Sequence, residues 1–246
     1  GIVIDENNQY NYFFDARVCN KSPITFTPLS ICHKISNMIS DEQLKSAKNI
    51  LNICSGSGIM TTALIDRMID VGMTAEEAVG KMFLVDNDQS IMNFAINTIK
   101  VKYGHEPSFK VTDALTWDFD GMKFDYIIGN PPYDVSGIID KTNPEIKRIG
   151  EKVKPAANAY LYFIIKAIEH LNKDGKILYC IPTGYINGIR PSHFRESIKK
   201  DGFYVSAIKL FDKNSFPGYY IPGVVSITEI SSYNKHNENL TEITDL

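Results

Sequence analysis

Several features that would indicate a particular class of protein are missing from this sequence. The 246 residues include only four cysteines, which lie far apart and form no C-x-x-C pair: Cys19, Cys32, Cys54 and Cys180. This spacing suits neither a disulfide framework nor a zinc site, so we expect reduced thiols, no bound metal and a cytoplasmic location. No apolar run approaches the ~20 residues of a membrane helix, and no signal peptide is recognisable.

The charge balance excludes a strongly basic protein that binds nucleic acid through its overall charge. The net charge of −3 gives no general attraction for nucleic acid, although a local basic patch remains possible. With 43% hydrophobic and 22% charged residues the composition is that of an ordinary globular chain, long enough for one large domain or two small ones. Because the chain begins at Gly1 rather than Met, we expect a trimmed protein or a fragment.

The order of the predicted elements indicates an α/β fold. Short apolar runs alternate with amphipathic helices up to Pro182, which predicts a mostly parallel sheet covered by helices on both faces. A front helix is expected over about residues 26–40, with Thr27 as cap and Pro28 in its first turn. Thr74 and Glu77 predict a capping box, and Asp88 caps the helix that follows it.

The later part of the chain follows a different pattern. "GFYVSAIKLF" and "GVVSITEI" predict an antiparallel hairpin at one edge of a seven-stranded sheet. Residues 134–158 are expected to form a long solvated loop, and residues 231–246 a polar tail or linker. We discount the Glu145-x-Lys147 pair of that loop as a nuclease motif. Arg190, Arg195, Lys199 and Lys200 are expected to lie on a solvated helix face, with contact to a phosphate as the alternative.

Polar and glycine residues follow four of the predicted strands, where an open parallel sheet binds its ligands. "CSGSG" (54–58) follows the first, and it is neither G-x-G-x-x-G nor a phosphate loop, because no third glycine and no Gly-Lys-Ser/Thr follow. Asp86 ends the second strand, Asp113 follows the third, and "NPPY" (130–133) follows the fourth. The two prolines make a rigid corner that presents an amide beside an aromatic ring.

This ordered set of strand ends resembles the S-adenosylmethionine-dependent N6-adenine DNA methyltransferases of restriction-modification systems. The similarity is to the gamma class, in which a front Phe-x-Pro helix and the cofactor motifs precede Asn-Pro-Pro-Tyr; here "FTP" (26–28) stands at the front. The resemblance runs from about Phe26 to Ile230 and implies a Rossmann-like class I methyltransferase domain over residues 1–230.

The resemblance also implies roles for individual residues. Asn130 and the Pro131 carbonyl would accept hydrogen bonds from the target amine, on the corner completed by Pro132, and Tyr133 and Phe216 would stack on the base. Asp86 would hold the ribose of the cofactor and Asp113 its adenine amino group. The other implied cofactor contacts are Thr27, Pro28, Asn52, Cys54, Ser55, Gly56, Gly58, Asn87, Ala114 and Asn130 itself. Asn52 and Ile53 depart from the family's acid and proline, which reduces the charge available to the cofactor.

Three readings of the function stay open from the sequence. The first is methylation of adenine in duplex DNA on a flipped-out base, in a bacterial or phage modification system. The second is a methyltransferase with another acceptor, such as a release-factor glutamine or an RNA amino group. The third is a non-catalytic subunit of the same fold. Because we expect no target-recognition domain within these residues, either a missing domain of a larger protein or a specificity subunit is an expected partner of the DNA-binding site, and no membrane is expected.

Overall fold

The computed structural model describes residues 2–4, 10–12, 27–133, 139–211, 224–233 and 240–245. A small antiparallel pair is formed by β1 (Ile2–Ile4) and β2 (Tyr10–Tyr12). All other strands of the described residues join one eight-stranded sheet. These strands are β3 (Ile50–Ile53), β4 (Met82–Asp86), β5 (Ser108–Val111), β6 (Phe124–Gly129), β7 (Leu171–Pro182), β8 (Phe203–Phe211), β9 (Val225–Ser232) and β10 (Glu242–Asp245).

The sheet has the order β10-β8-β9-β7-β6-β3-β4-β5. Strands β3 to β7 are mutually parallel, and β9 runs antiparallel to both β7 and β8. The predicted α/β class with an antiparallel hairpin is therefore confirmed. The expected count of seven strands was one too low.

The additional strand is β10, which lies in the region expected to be a polar tail. Its backbone pairs in parallel with β8, from Glu242 opposite Ala207 to Asp245 opposite Leu210. Three of its four side chains are exposed. An edge strand held by backbone hydrogen bonds needs no apolar side chains, and for that reason its sequence carried no strand signal.

Helices cover both faces of the sheet, as predicted. Residues of β3, β6 and β7 that point to one face pack with the last three helices, and those that point to the other face pack with the first five. In chain order the helices are α1 (Leu29–Asn37), α2 (Asp41–Ser46), α3 (Ile59–Asp70), α4 (Ala75–Gly80), α5 (Gln89–Tyr103), α6 (Pro144–Val153), α7 (Ala159–Ile168) and α8 (Ser192–Lys200). No helix of the described residues is long and apolar enough to cross a bilayer.

The front helix begins later than predicted. Pro28 has φ −57° and ψ 144°, an extended conformation, so it precedes the helix and α1 starts at Leu29. No side chain caps α1; instead the Pro28 carbonyl accepts from the backbone N–H groups of Ile31 and Cys32. The prediction that Thr27 caps this helix is wrong, and its hydroxyl is used elsewhere.

The expected solvated loop at 134–158 contains α6. Asn143 caps the helix by accepting from the N–H groups of Glu145 and Ile146, and Pro144 occupies the first turn. Ile146, Ile149 and Val153 recur at helical spacing and are buried against the core. Charged residues between them hid this stripe. Elsewhere the caps follow prediction, since the Thr74–Glu77 capping box and the Asp88 cap are both present.

Candidate active site at the carboxyl ends of the parallel strands

The predicted site residues meet where the strand order reverses. Strand β3 lies between β4 and β6, and the chain leaves β3 toward β4 on one side before returning to build β6 and β7 on the other. Such a reversal opens a crevice at the carboxyl ends of the two central strands. Ile53, the last residue of β3, is paired with Gly129, the last residue of β6. The loop that starts at Cys54 and the corner that starts at Asn130 are therefore neighbours.

Gly129 is a site residue that the sequence reasoning missed. A Cβ added there would lie 2.5 Å from the Ile53 carbonyl oxygen and 2.8 Å from its Cγ2 atom. Only glycine allows β3 and β6 to approach this closely at their ends. The available signal was a glycine that ends an otherwise apolar strand, a position that often marks close backbone approach.

The loop Cys54–Gly58 has a backbone that most residues cannot adopt. Cys54, Gly56 and Gly58 have φ values of 51°, 52° and 81°, in the left-handed region where glycine carries no steric cost. A Cβ on Gly58 would lie 3.0 Å from that of Ala95, whereas a Cβ on Gly56 would meet nothing within 4 Å. Gly58 thus packs the loop against α5, and Gly56 faces open space.

Asp86 holds this loop in place. One oxygen of its carboxylate accepts the backbone N–H of Gly56 over 2.8 Å, and the other accepts that of Asp88 over 3.1 Å. Burial raises the pKa of Asp86 above its usual value, and the two backbone N–H donors act against that rise. The carboxylate is therefore rigidly positioned beside the glycine loop and keeps further lone pairs for a ligand.

Asp113 approaches the same loop from the next strand. Burial raises the pKa of the Cys54 thiol well above its usual value, and the charges of Asp86 and then Asp113 raise it further. Both acids therefore lie near Cys54. Asp113 is exposed and accepts the N–H of Leu115 over 2.9 Å. Of the other predicted contacts, Ala114 is 6% exposed and Asn87 is exposed.

Asn130 carries an unpaired acceptor. Its Nδ2 donates to the Thr27 hydroxyl over 2.9 Å, while its Oδ1 is buried and has no partner. Among the described residues only four buried side-chain polar atoms lack a partner, and the Ser55 hydroxyl is another of them. Two orphaned polar atoms thus lie at the ends of adjacent strands β3 and β6. Buried polar groups are normally satisfied, so this pair indicates a place for a polar ligand.

Tyr133 lies across the Asn-Pro-Pro corner with its hydroxyl turned inward. That hydroxyl is 3.8 Å from Cys180 Sγ, and the ring meets Tyr160 edge-on with centroids 6.5 Å apart. Burial raises the pKa of Tyr133 well above its usual range, so the hydroxyl stays protonated. Tyr133 lines a cavity of about 340 Å³, whose other lining residues are Ala156, Ala157, Asn158, Gly184, Arg190 and Pro191.

Asn52, one of the expected cofactor contacts, has one end of its side-chain amide bound within the protein. Its side chain is 1% exposed, and its Nδ2 donates to the Thr61 hydroxyl over 2.8 Å. This bond ties β3 to the first turn of α3 behind the glycine loop. Phe216, the expected second stacking ring, lies outside the described residues. Within those residues, no group of three or more His, Cys, Asp or Glu side chains is arranged to hold a metal ion.

Solved structures share the fold. A nuclease-deletion mutant of the Type ISP restriction-modification enzyme LlaGI, solved with a DNA substrate mimic, superposes with a TM-score of 0.70 at 16% identity, covering 93% of this chain and 28% of that one. A protein of Listeria monocytogenes described as a class I S-adenosylmethionine-dependent methyltransferase gives a TM-score of 0.70 at 14% identity, over 93% of this chain and 68% of that one. The predicted class I methyltransferase fold is confirmed.

Curated relatives are modification methylases. Modification methylase CviBIII of Paramecium bursaria Chlorella virus NC1A is 29% identical over 202 residues, which is 80% of this chain and 47% of the relative. Type II methyltransferase M.BsuBI of Bacillus subtilis is 24% identical over 198 residues, 73% of this chain and 38% of the relative. The chain therefore spans less than half the length of these two relatives.

The family assignment rests on a match to most of the chain. The sequence profile of the Eco57I restriction-modification methylases matches residues 31–217, a span that includes the glycine loop, Asp86, Asp113 and the Asn-Pro-Pro-Tyr corner. Methylases of this family and fold use S-adenosylmethionine, so the predicted cofactor is confirmed at the level of the family. This chain belongs to the Eco57I restriction-modification methylase family.

Proposed function

We propose that this domain transfers a methyl group from S-adenosylmethionine to the N6 amino group of adenine in DNA. The observation that carries the proposal is the buried, unpaired Oδ1 of Asn130 at the switch point of the sheet. It stands on a corner whose aromatic residue, Tyr133, lines a cavity large enough for a ligand. A hydrogen-bond acceptor beside a stacking face suits a base that carries an exocyclic amine.

The crevice fits the cofactor. Gly56 leaves open space beside the loop, and the hydroxyl of the preceding residue, Ser55, is buried and unpaired. In the proposal Asp86 holds the ribose hydroxyls with its remaining lone pairs, Asp113 accepts from the adenine amino group, and Thr27 and Pro28 lie beside the methionine part. S-adenosylmethionine supplies a sulfonium methyl group that is already activated for transfer.

The amine needs help because its lone pair is delocalised into the purine ring. We propose that Asn130 Oδ1 and the Pro131 carbonyl each accept a hydrogen bond from one N–H of the amine. These bonds draw the two hydrogens out of the ring plane and return the lone pair to nitrogen. Nitrogen then attacks the methyl carbon in line with the departing sulfur, and one amine proton leaves to solvent. The protein contributes orientation and fixed dipoles and no strong base. A neutral amide suits position 130, since a carboxylate there would pair with the cationic cofactor.

The base must leave the duplex to reach this corner. Flipping costs a few kcal/mol, and stacking on an aromatic ring returns about 1–3 kcal/mol. In the proposal the Tyr133 ring provides that face. Reading a DNA sequence needs several placed donors and acceptors in a groove, and we propose that a further region or a specificity subunit provides them.

Transfer of a labelled methyl group tests the proposal. Unmodified chromosomal DNA, total RNA and a purified release factor are each incubated with the protein and labelled S-adenosylmethionine, then digested and analysed by chromatography. We expect label in N6-methyladenine from DNA, absent with Asn130→Ala and retained with Asn97→Ala, an exposed asparagine on α5. Label in RNA or in the release factor would support methyl transfer by this site but show that DNA is not its substrate.

A further inference from the structure

Residues 186–191, which we name the tip loop, connect β7 to α8 beside the candidate site. The five residues Ile186 to Arg190 are all exposed, and Ile189 is 90% exposed. A large aliphatic side chain that is this exposed loses the stabilisation it would gain by burial. Ile189 directly precedes Arg190, which lines the Tyr133 cavity, so a ligand of that cavity could also cover Ile189.

The tip loop is held rigidly from behind. Arg195 on α8 donates from one guanidinium nitrogen to the Tyr185 carbonyl and from another to that of Gly188, both over 3.1 Å. The Ser192 hydroxyl donates to the Ile189 carbonyl over 2.7 Å. Tyr185 is itself buried, and its hydroxyl lies 2.6 Å from that of Thr228 on β9. These hydrogen bonds therefore fix the backbone of the loop that carries the exposed Ile189 side chain.

The tip loop also carries a cation, Arg190. Arg190 lines the same cavity as Tyr133, and it makes no ion pair within the described residues. Arg195, the neighbouring cation, is already used to hold the loop. The sequence grouped the two as one basic surface, either solvated or in contact with phosphate, and the structure separates them into an internal clamp and an available charge.

We propose that the tip loop contacts the DNA at the target nucleotide, an inference that rests on the proposed function. Arg190 pairs with a backbone phosphate beside the flipped adenine. Ile189 enters the base stack and fills the space that the adenine leaves. Apolar side chains inserted between bases are an established means of distorting a duplex, and a neighbouring cation anchors the backbone. The cavity lined by Tyr133, the Arg190 cation and the apolar Ile189 side chain then form one surface for one strand.

The test compares variants on two duplexes that carry the methylated site found in the labelling experiment. In the second duplex the target adenine faces an abasic position, so less energy is needed to flip it. Ile189→Ser is expected to lower kcat/KM on the paired duplex by about tenfold, the effect of losing one buried aliphatic side chain. On the second duplex the same variant should lose less than about twofold.

Arg190→Ala should give a different signature. Its KM for both duplexes is expected to rise, and the slope of log kcat/KM against log salt concentration should become shallower by about one. The matched controls are Val101→Ser, which removes an aliphatic side chain that is 88% exposed on α5, and Lys199→Ala, which removes an exposed cation from α8. Both controls should behave as wild type.

The outcomes separate the two proposals. If the label enters RNA or the release factor and not DNA, the proposed function fails. If DNA is labelled, and the Ile189 and Arg190 variants match their controls, the tip-loop inference fails and the function stands. Equal loss on both duplexes for Ile189→Ser would identify an ordinary surface contact and overturn the insertion. A lower melting temperature of that variant would identify internal packing and overturn it as well.

Discussion

The side-chain amide of Asn130 donates a hydrogen bond of 2.9 Å to the hydroxyl of Thr27, which lies 103 residues earlier in the chain. This bond joins the segment before α1 to the corner after β6. Because the Nδ2 atom is engaged, the Oδ1 atom is directed away from Thr27 and remains unpaired. Thr27 therefore positions the group that we propose acts on the target amine.

Removing the Thr27 hydroxyl should slow transfer while leaving DNA affinity intact. Thr27→Val keeps the shape and removes the acceptor, and we expect kcat to fall by on the order of tenfold with little change in KM for DNA. Thr27→Ser keeps the hydroxyl and should stay close to wild type. Single-turnover rates at saturating cofactor provide the measurement. A Thr27→Ser variant as slow as Thr27→Val would contradict the positioning role.

Substitutions of Asn130 and Asp86 should separate methyl transfer from cofactor binding. Asn130→Ala should lower the transfer rate by at least about 100-fold, the effect of losing a preorganised dipole, with the Kd for S-adenosylmethionine nearly unchanged. Asp86→Ala should weaken cofactor binding first, because it loses a ligand group and also frees the Gly56 N–H that positions the loop. Calorimetric titration of the cofactor distinguishes them; equal losses of affinity would show that the roles are assigned incorrectly.

Gly129 should tolerate no side chain. Gly129→Ala places a Cβ 2.5 Å from the Ile53 carbonyl oxygen, so β3 and β6 must separate at the crevice. We expect a loss of about 1–3 kcal/mol in the free energy of unfolding together with weaker cofactor binding. Gly80→Ala is the matched control, since a Cβ there meets nothing within 4 Å. Urea denaturation measures both variants, and similar stabilities would refute the close-approach argument.

The charge pair between α6 and α7 should matter for stability. Lys166 is 2% exposed, and its Nζ lies 2.9 Å from Glu145 Oε1. Glu145→Ala leaves that ammonium group buried without its carboxylate, and we expect a loss of about 2 kcal/mol, reduced from the fully buried case because Glu145 itself is partly exposed. Glu151→Ala removes the exposed pair with Lys154 and should cost much less, because solvent screens an exposed ion pair. Comparable losses would contradict this account.

The same carboxylate predicts an acid-dependent loss of stability. Hydrogen bonds from Arg148, and then from Lys166, lower the pKa of Glu145 from 4.5 to about 2. A folded-state pKa below the unfolded one stabilises the protein above the unfolded value, and this contribution is lost as the pH falls through the window from 4.5 to about 2. The free energy of unfolding of Glu145→Gln, measured by urea titration across that window, should change less steeply than that of wild type.

Local sequence patterns determined much of the fold. The parallel strands are short apolar runs, α5 shows a helical stripe with Asp88 before it, and Thr74 and Glu77 form their box, because each signal depends on residues close together in the chain. The start of α1, the helix α6 and the strand β10 were predicted incorrectly. Helix α1 starts late because Pro28 is extended, and α6 was missed because charged residues masked its apolar stripe. Strand β10 forms because β8 has a free edge, which its own sequence does not reveal.

For the site, the sequence by itself determined which residues stand at the strand ends: the glycine loop, Asp86, Asp113 and the Asn-Pro-Pro-Tyr corner. Parallel strands carry their carboxyl ends to one edge, so order along the chain is enough to bring those residues together. Only the tertiary structure decided that Thr27 engages Asn130, that the Asn52 amide donates to Thr61, and that Arg195 holds the tip loop while Arg190 makes no ion pair among the described residues. Each of these depends on the direction of one side chain among several possible partners, and packing selects that direction only when distant segments meet.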